Sequence, residues 1–254
     1  MSRVPDPTVA LPSFPVLDVG AVHVWFCELL RYAGRQASLA AQLSDDERAR
    51  ASRFAFDRDR RRFILSHGLL RMVLSRYLRS EPGEIRFTAG PYGKPALLGS
   101  PDVSEGIRFS LSHSGDYALV AVARGREIGV DVEARKAELE CLKLAERFFA
   151  PAESQAIAKL HGVAQQRLFY AFWTAKEAYL KGRGVGLSLG LDRFEILFDA
   201  SSPGARVRLT DSGAFEQGWH IHTLSLPEQL AGAVAVEGDD WTVLRCEPAA
   251  YGLS

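Results

Sequence analysis

The stretch "FWTAKEAYLKGRGVGLS", residues 172–188, combines a helical apolar pattern with charged side chains and a glycine-rich end. Apolar residues recur three or four positions apart, which predicts the buried stripe of a long amphipathic helix over residues 167–182. Glu177 and Lys181 are four residues apart and fall on another face of that helix. The buried stripe consists of Leu168, Phe172, Ala175 and Tyr179.

Two explanations fit the charges on this helix. Glu177 and Lys181 could form only a helical salt bridge, which contributes about 0.2–0.5 kcal/mol. That explanation gives no reason for the glycines that follow at positions 182, 184 and 186. Glycine has no side chain, so glycines where a helix ends permit the close approach of another backbone or of a bound molecule. We therefore expect Glu177 and Lys181 to face a ligand.

A second motif, "GVDVEAR" at residues 129–135, places two carboxylates on one side of a predicted strand. Alternate side chains of a strand share a face, so Asp131 and Glu133 point one way and the valines beside them point the other. An exposed strand face would show the same pattern. Two close carboxylates repel each other unless a cation joins them, and Mg²⁺ binds carboxylate and phosphate oxygens together. Combined with Glu177 and Lys181, the motif predicts a metal–phosphate site.

Around these motifs the chain repeats one order of predicted elements: a strand, a short helix, a long helix, a strand and a strand pair. The repeat predicts an α+β fold of two similar α/β-type halves related by a pseudo-twofold, each a small, mostly antiparallel sheet packed with a long helix. The predicted divisions are an extended N-terminal arm (1–19), an N-terminal half (20–125) and a C-terminal half (126–254), with a cleft between the halves. A single unsymmetrical α+β domain is the alternative.

The bulk composition argues against several classes of protein. Of the 254 residues 24% are charged and the net charge is zero, so no global field favours a nucleic-acid or membrane partner. Three widely spaced cysteines indicate neither a disulfide framework nor a zinc site. No apolar run approaches the ~20 residues of a membrane span, and no secretory signal is visible, which together predict a cytoplasmic protein.

One segment of the chain is basic, with ten arginines against five acidic residues between Ser44 and Arg79. The planar guanidinium of arginine suits two-point binding of phosphate or carboxylate. A solvated helix face explains the same bias equally well. Within this segment, Ser44 followed by Glu47 is a capping-box pattern and predicts the start of a helix.

Together these motifs resemble the signature of the 4′-phosphopantetheinyl transferases, specifically the larger, surfactin-synthetase-activating type. That family has a G-[IV]-D-[IV]-E strand and a W-x-x-K-E-A-x-x-K helix with a G-x-G-L tail, and this chain carries every element. Two further stretches match, "YGKP" at 92–95 and "FSLSHSG" at 109–115. The resemblance extends from Leu43 to Phe198 and is weaker toward both termini.

The resemblance implies the fold and the reaction of that family. Coenzyme A would bind in the cleft between the two halves. The 4′-phosphopantetheine group would pass, with Mg²⁺, from coenzyme A to a serine hydroxyl of an apo acyl or peptidyl carrier protein, the holo-[acyl-carrier-protein] synthase reaction (EC 2.7.8.7). Adenosine 3′,5′-bisphosphate would be released. This type is typically monomeric and serves fatty-acid, polyketide or peptide synthesis, and Mn²⁺ also suits oxygen ligands.

By motif match, the implied metal ligands are Asp131, Glu133 and Glu177. The ion would bridge the pyrophosphate and withdraw charge from the phosphorus under attack. Lys181 would hold a phosphate oxygen and stabilise charge as the leaving group departs. Lys176 immediately precedes a metal ligand and is expected to point elsewhere.

Glu153 matches the family position proposed as the general base, with Glu177 or a metal-bound water as rivals. The serine that loses this proton belongs to the carrier protein. A structural acid in the first turn of a helix after Pro151 explains Glu153 equally well.

The remaining matches concern the nucleotide end of coenzyme A and the carrier protein. The family often has a lysine near position 47, where this chain has Glu47, so neighbouring arginines are expected to supply part of the phosphate contact. The apolar segment 137–162 is the candidate surface for the carrier. The implied coenzyme A contacts are Arg50, Arg62, Lys94, Pro95, Ser112, His113 and Lys181.

Two other functions would use some of the same residues. A metal-dependent hydrolase of coenzyme A or another nucleotide pyrophosphate would need no protein acceptor but would need a base that positions water. A binding module for coenzyme A or a carrier protein would need no complete metal site. The intact set of Asp131, Glu133, Glu177 and Lys181 therefore favours the transferase.

Overall fold

A computed structural model of the chain describes residues 14–99 and 106–253, so residues 1–13 of the predicted arm lie outside it. The described part is a mixed α+β structure, and none of its helices is long and apolar enough to cross a membrane. Its α-helices are α1 (Gln36–Gln42), α2 (Asp45–Ser52), α3 (Asp57–Leu78), α4 (Cys141–Phe148), α5 (Pro151–Ala158) and α6 (Gly162–Arg183). Its strands are β1 (Ala21–Glu28), β2 (Arg86–Ala89), β3 (Pro95–Leu98), β4 (Ile107–Ser114), β5 (Tyr117–Arg124), β6 (Ile128–Ala134), β7 (Phe194–Phe198), β8 (Gly204–Leu209), β9 (Phe215–Thr223), β10 (Leu230–Glu237) and β11 (Thr242–Cys246). Short 3₁₀ segments lie at Leu29–Arg35, Pro82–Glu84, Gly186–Leu189, Leu191–Arg193 and Pro248–Tyr251.

The first sheet has the strand order β11-β1-β5-β4. β11 runs parallel to β1, and the other neighbours are antiparallel. Along β1 the side chains alternate between two cores: Trp25 and Cys27 enter the core that contains α3, whereas Val24 and Phe26 enter a second core on the opposite face. Because both faces are covered, β1 and β5 are buried at consecutive residues rather than at alternate ones.

The second sheet has the order β6-β10-β9-β8-β7 and is antiparallel throughout. α6 packs across β6 and β10, and α4 and α5 pack beside it. Phe172, Ala175 and Tyr179 of the predicted stripe are buried in this core, whereas Leu168 is only partly buried. The helix itself is longer than the predicted 167–182, because His161 and Gly184 are its flanking residues.

The two sheets pack against each other through their inner faces. Valines of β6 and β10, including Val130 and Val234, meet apolar residues of β1 and β5, including Val24 and Leu119. The layers therefore follow the order α3, first sheet, second sheet, α6. A separate hairpin, β2-β3, lies beside β4 and carries Pro95 at its second strand.

The described elements repeat the predicted order in both halves, and the α+β fold class is confirmed. The long helices α3 and α6 have 22 residues each. In each sheet the leading strand, β1 or β6, pairs antiparallel with a strand of the closing strand pair, β5 or β10. One strand crosses the predicted division: β11 comes from the C-terminal half but joins the first sheet, because it completes the free edge of β1. The division into 20–125 and 126–254 stays a prediction.

Candidate active site between the two sheets

β4 and β6 are edge strands of different sheets and lie side by side, which joins the two halves. Serine hydroxyls of β4, rather than carbonyl groups, accept the backbone N–H groups of β6 at every second residue. The distances from backbone nitrogen to hydroxyl oxygen are 3.1, 3.3 and 3.1 Å. We call this arrangement the serine seam; its pairs are Ser110 with Val130, Ser112 with Val132 and Ser114 with Ala134.

Asp131 lies at the centre of the seam and is almost fully buried. Its Oδ1 accepts a hydrogen bond from the Ser112 hydroxyl at 2.8 Å and lies 2.6 Å from Lys181 Nζ. Its Oδ2 is buried and has no hydrogen-bond partner within the described part of the chain. Burial raises the pKa of Asp131, although Lys181, Ser112 and the backbone N–H of Val132 oppose that rise. A buried carboxylate oxygen without a partner is costly, so this atom is poised for a cation or a donor that a ligand brings.

Glu133 and Glu177 face the same region. The Ser114 hydroxyl donates to Glu133 Oε2 at 2.6 Å. Burial raises the pKa of Glu133, and the charge of Asp131 raises it further. Burial also raises the pKa of Glu177 to about 7, with the charges of Asp131 and Glu133 adding to the effect. The charges of the three implied metal ligands therefore act on one another, which makes them neighbours without bringing them within the distance of a shared ion in residues 14–99 and 106–253.

The backbone contact between β6 and α6 sets the distance between these groups. A side chain on Gly129 would place its Cβ 2.0 Å from the carbonyl oxygen of Ala178 and 2.2 Å from the backbone nitrogen of Gly182. Only glycine fits at position 129, because backbone atoms cannot move aside. The first residue of the "GVDVEA" strand therefore holds Asp131 against the end of α6 that carries Glu177 and Lys181.

The implied phosphate-binding residues of the basic segment lie around His113. Desolvation lowers the pKa of His113, and the nearby cations Lys181, Arg50 and Arg62 lower it further. Arg62 is held by Asp116, with 2.7 Å between Nε and Oδ1. These three cations make up a positive region around His113; Asp116 and Asp131 pair with two of them, and a polyanionic ligand would bind to the same cations.

Behind His113, an aromatic pair supports the same region. The ring of His67 stacks on Phe63 at a centroid distance of 3.8 Å, and the guanidinium of Arg50 lies 5.3 Å from the Phe63 ring centre. Burial lowers the pKa of His67 to about 3, and the charge of His113 contributes. His67 is therefore neutral near pH 7 and packs against Phe63.

Lys94 and Pro95 belong to the turn and strand that close the other end of the seam. Lys94 Nζ lies 2.6 Å from Glu127 Oε2 and donates to the carbonyl oxygen of Gly182 at 2.7 Å. Lys94 therefore ties the hairpin to the last turn of α6. Both residues line a surface cavity of about 430 Å³ that Arg183 also lines.

The described contacts of Glu153 are with residues other than Asp131, Glu133 and Glu177. Its Oε2 is 2.7 Å from Lys176 Nζ and accepts the backbone N–H of Ala150, and its Oε1 accepts the backbone N–H of Ile196 at 2.8 Å. Glu153 and Lys176 are both buried. Lys176 also donates to the carbonyl oxygens of Leu191 and Phe194, so it points away from the site as expected. These contacts argue against the predicted role of Glu153 as a base and favour the structural alternative.

Glu47, where the family often has lysine, also has a structural place. It completes the predicted capping box with Ser44 at the start of α2. Its Oε2 lies 2.7 Å from the guanidinium of Arg71, which is almost fully buried and donates to the carbonyl oxygens of Pro82 and Ile85. A basic side chain at position 47 would face this buried arginine and repel it.

Sequence reasoning missed two residues that hold side chains of the site and a third that belongs to the serine seam alone. Ser114 and Asp116 hold Glu133 and Arg62, and Ser110 continues the seam. The signal for the serines was present in "SLSHS", because polar residues alternate there along a strand that is otherwise apolar. Asp116 gave no such signal, since its contact with Arg62 spans 54 positions.

The oxygen donors of this region suit a divalent cation, because the buried Asp131 Oδ2 lacks a hydrogen-bond partner among the described residues. Within residues 14–99 and 106–253, no three histidine, cysteine, aspartate or glutamate side chains converge closely enough to bind an ion as they stand. The ammonium of Lys181 lies against Asp131 instead. The free Oδ2, beside two carboxylates that share its region, is the hard oxygen set that Mg²⁺ or Mn²⁺ prefers.

Comparison with known proteins agrees with the motifs. Residues 34–125 match a family described as 4′-phosphopantetheinyl transferase, N-terminal, and residues 127–235 match the 4′-phosphopantetheinyl transferase superfamily. The 4′-phosphopantetheinyl transferase HetI of Nostoc is 39% identical, with 91% of this chain and 94% of the relative covered. The transferase Sfp of Bacillus subtilis is 34% identical, over 61% of this chain and 66% of its own.

Among solved structures, the chain resembles a holo-(acyl-carrier-protein) synthase from Bacillus anthracis in complex with CoA (3′,5′-ADP). That likeness has a TM-score of 0.36 and 23% identity, and covers 44% of this chain and 96% of the other. The sequence relatives therefore carry the assignment. Two family matches and a relative aligned over nearly its whole length lead to one conclusion: the chain belongs to the 4′-phosphopantetheinyl transferase superfamily, whose members modify carrier proteins with the phosphopantetheine group of coenzyme A.

Proposed function

We propose that this chain transfers the 4′-phosphopantetheine group of coenzyme A to a serine of an apo acyl or peptidyl carrier protein, in the holo-[acyl-carrier-protein] synthase reaction (EC 2.7.8.7). The observation that supports this most is the buried Asp131 Oδ2, free of any described partner, beside Lys181 and two further carboxylates. A positive region around His113 adjoins that cluster. Together they suit a pyrophosphate that bridges the two groups of residues.

We assign the metal site to Asp131, Glu133 and Glu177, with Mg²⁺ as the proposed ion and Mn²⁺ as an alternative. When bound, the ion neutralises the pyrophosphate and makes its phosphorus more electrophilic. Asp131 and Glu133 come from a strand and are held in place by Ser112 and Ser114. Glu177 comes from α6, so the site spans two elements that Gly129 packs together.

Lys181 is proposed to bind a phosphate oxygen of coenzyme A. Its ammonium reaches both Ser112 Oγ, at 3.0 Å, and Asp131 Oδ1, at 2.6 Å. About a third of its side chain is exposed, so its charge faces the space next to the seam. A cation at this position stabilises the negative charge that develops on the departing phosphate.

The base that accepts the serine proton is proposed to be Glu177 or a water molecule. Glu153 has both carboxylate oxygens engaged by Lys176 and backbone N–H groups. Burial and the neighbouring carboxylates raise the pKa of Glu177 to about 7, and the cation that it is proposed to hold would lower that pKa again. Its place in the carboxylate cluster puts it beside the proposed pyrophosphate.

The nucleotide end of coenzyme A is proposed to bind along the rest of the seam. Arg50, Arg62 and His113 would contact the 3′-phosphate or pyrophosphate, and the backbone of Ser112 and His113 would approach the phosphates. Lys94 and Pro95 line the cavity at the C-terminal end of α6 and would contact the adenine side. We propose that the halves 20–125 and 126–254 form the two walls of this cleft.

The carrier protein is proposed to dock on α4 and α5, within the segment 137–162. Leu142, Leu144 and Phe148 are only partly buried there, whereas Phe149 belongs to the core. Arg147 lies over the Phe148 ring at 5.0 Å and adds a cation to the apolar surface. We further propose a cytoplasmic monomer without nucleic-acid or membrane partners.

The experiment that tests this function is intact-mass spectrometry of an apo carrier protein incubated with this chain, coenzyme A and Mg²⁺. A mass gain of one phosphopantetheine group, abolished by a chelator and restored by Mg²⁺, would support the transferase. No gain on fatty-acid, polyketide and peptide carriers would contradict it. Assaying coenzyme A cleavage in the same mixtures then distinguishes the hydrolase from the binding module.

A further inference from the structure

The serine seam carries more than the contact between halves. The hydroxyls of Ser112 and Ser114 each make two hydrogen bonds to β6. The oxygen accepts a hydrogen bond from a backbone N–H, and the O–H group donates a hydrogen bond to a carboxylate. In both cases the carboxylate precedes the N–H by one residue. The seam is therefore a repeated unit that fixes a strand and aims the side chain beside it.

The spacing of the seam explains why serines are needed. β4 and β6 run in the same direction, since residues 110, 112 and 114 meet residues 130, 132 and 134 in order. Direct pairing would bring the strands within about 4.8 Å and consume both edges. A hydroxyl between them widens the gap by one side chain and still satisfies the N–H groups of β6.

Ser110 makes the same backbone contact as Ser112 and Ser114, but no carboxylate lies beside it. Its hydroxyl accepts the Val130 N–H at 3.1 Å, as its two neighbours do at their own positions. The residue of β6 that corresponds to Asp131 and Glu133 is Gly129, which has no side chain. Ser110 therefore contributes to the seam only, and it is a matched control within the same strand.

Glu133 depends on this unit more than Asp131 does. Asp131 is also held by Lys181, at 2.6 Å, and is almost fully buried. Glu133 is only partly buried, and Ser114 is the side chain that donates to it, at 2.6 Å, among the described contacts. The glutamate side chain rotates about three bonds and samples many orientations unless a donor fixes it, and the loss of that freedom on binding weakens the affinity for a ligand.

We propose that Ser114 is a positioning residue that aims the Glu133 carboxylate at the cation site. It acts through Glu133 rather than by touching the reacting atoms. The proposal rests on the proposed function, because the cation site is part of that function. A hydroxyl that donates to one carboxylate oxygen leaves the other free and pointed, which is how supporting residues raise metal affinity.

The test is titration of Mn²⁺ into the full chain with coenzyme A present and no carrier protein, followed by electron paramagnetic resonance of free Mn²⁺. Ser114→Ala should weaken Mn²⁺ binding by about tenfold, within the range typical for loss of a supporting hydrogen bond. Ser110→Ala removes an equivalent seam contact and should change the affinity by less than about twofold. Thermal unfolding of both variants checks that each retains its fold.

The outcomes separate the inference from the function on which it rests. An Mn²⁺ affinity in Ser114→Ala within twofold of the wild type overturns the positioning role, and so does an equal loss in Ser110→Ala, since general damage to the seam would then explain both. Asp131→Asn is the control for the site. If the wild type binds no Mn²⁺, or Asp131→Asn binds it equally well, the proposed cation site itself falls.

Discussion

Two lysines of helix α6, five residues apart, each pair with a carboxylate from another element, and the two pairs differ in their surroundings. Lys176 is fully buried and lies 2.7 Å from Glu153, whose two oxygens also accept two backbone N–H groups. Lys181 is about a third exposed and lies 2.6 Å from Asp131, whose second oxygen has no described partner. The first pair is complete, whereas the second has an unfilled position.

This difference shows how a structural pair is told from a binding site. Both lysines belong to the same short motif, "KEAYLK", so residue type and spacing do not distinguish them. The distinguishing property is whether every buried polar atom is satisfied. Satisfied carboxylates hold structure together, and a buried unsatisfied one indicates a missing ligand.

The largest expected effect is a loss of catalysis when Asp131, the carboxylate of the Lys181 pair, or the nearby Glu177 is removed. Asp131→Ala and Glu177→Ala should each lower the transfer rate by roughly 10³-fold, because each removes a charge that holds the ion stabilising the transition state. The rate is measured as holo-carrier formed per unit time by mass spectrometry. Circular dichroism should show an unchanged fold, and near-normal turnover in both variants would remove these residues from the metal site.

The complete pair should affect stability rather than chemistry. Lys176→Met leaves the buried Glu153 without its cation and should reduce the free energy of unfolding by about 3–5 kcal/mol, measured by urea titration. Lys181→Met is the matched variant on the same helix and should cost less, because Lys181 is about a third exposed and Ser112 still donates to the buried Asp131. A Glu153→Gln variant that keeps its stability but loses turnover would restore Glu153 as the base.

The positive region around His113 should act on binding of coenzyme A. Arg62→Ala or His113→Ala should raise the KM for coenzyme A by about tenfold with a smaller change in kcat, since each contact is to a part of the ligand that does not react. Coenzyme A without its 3′-phosphate is the control ligand. If these residues contact that phosphate, the variants and the wild type should differ little with it, and a full tenfold difference would place them elsewhere.

The smallest effect is the pH dependence of a buried group outside both pairs. Burial lowers the pKa of His67 from 6.5 to about 3, so the folded state holds it neutral. The unfolded chain takes up a proton at its ordinary pKa, so this contribution to stability is complete above pH 6.5 and is lost as pH falls toward 3. Between pH 7 and pH 5 the loss should be about 1–2 kcal/mol.

His67→Phe keeps the ring stacked on Phe63 and removes the titration. Urea unfolding at pH 7 and pH 5 should therefore show a smaller loss of stability in the variant than in the wild type. An identical pH dependence in the two proteins would mean that His67 has the same pKa in the folded and unfolded chain, which contradicts the lowered pKa in the folded state.

Much of the fold and part of the site could be predicted from local patterns. The stripe on α6, the capping box of α2 and the alternation in β6 are short-range features, and short-range spacing determines which side chains share a face. The partner of Glu153 could not be predicted this way. Lys176 lies 23 positions away, and only the packing of α5 against α6 brings the two together.

The properties of the site divide in the same way into those that depend on local sequence and those that depend on tertiary contacts. The sequence alone determined the class of the fold and the family, and it predicted the carboxylates and the lysine of the proposed site, because those depend on residue type and local spacing. The tertiary structure decided which carboxylate is satisfied and which is left open, and that serine hydroxyls rather than backbone carbonyls join β4 to β6. Those properties depend on contacts between residues about 20 or more positions apart, and such contacts exist only when the chain has folded.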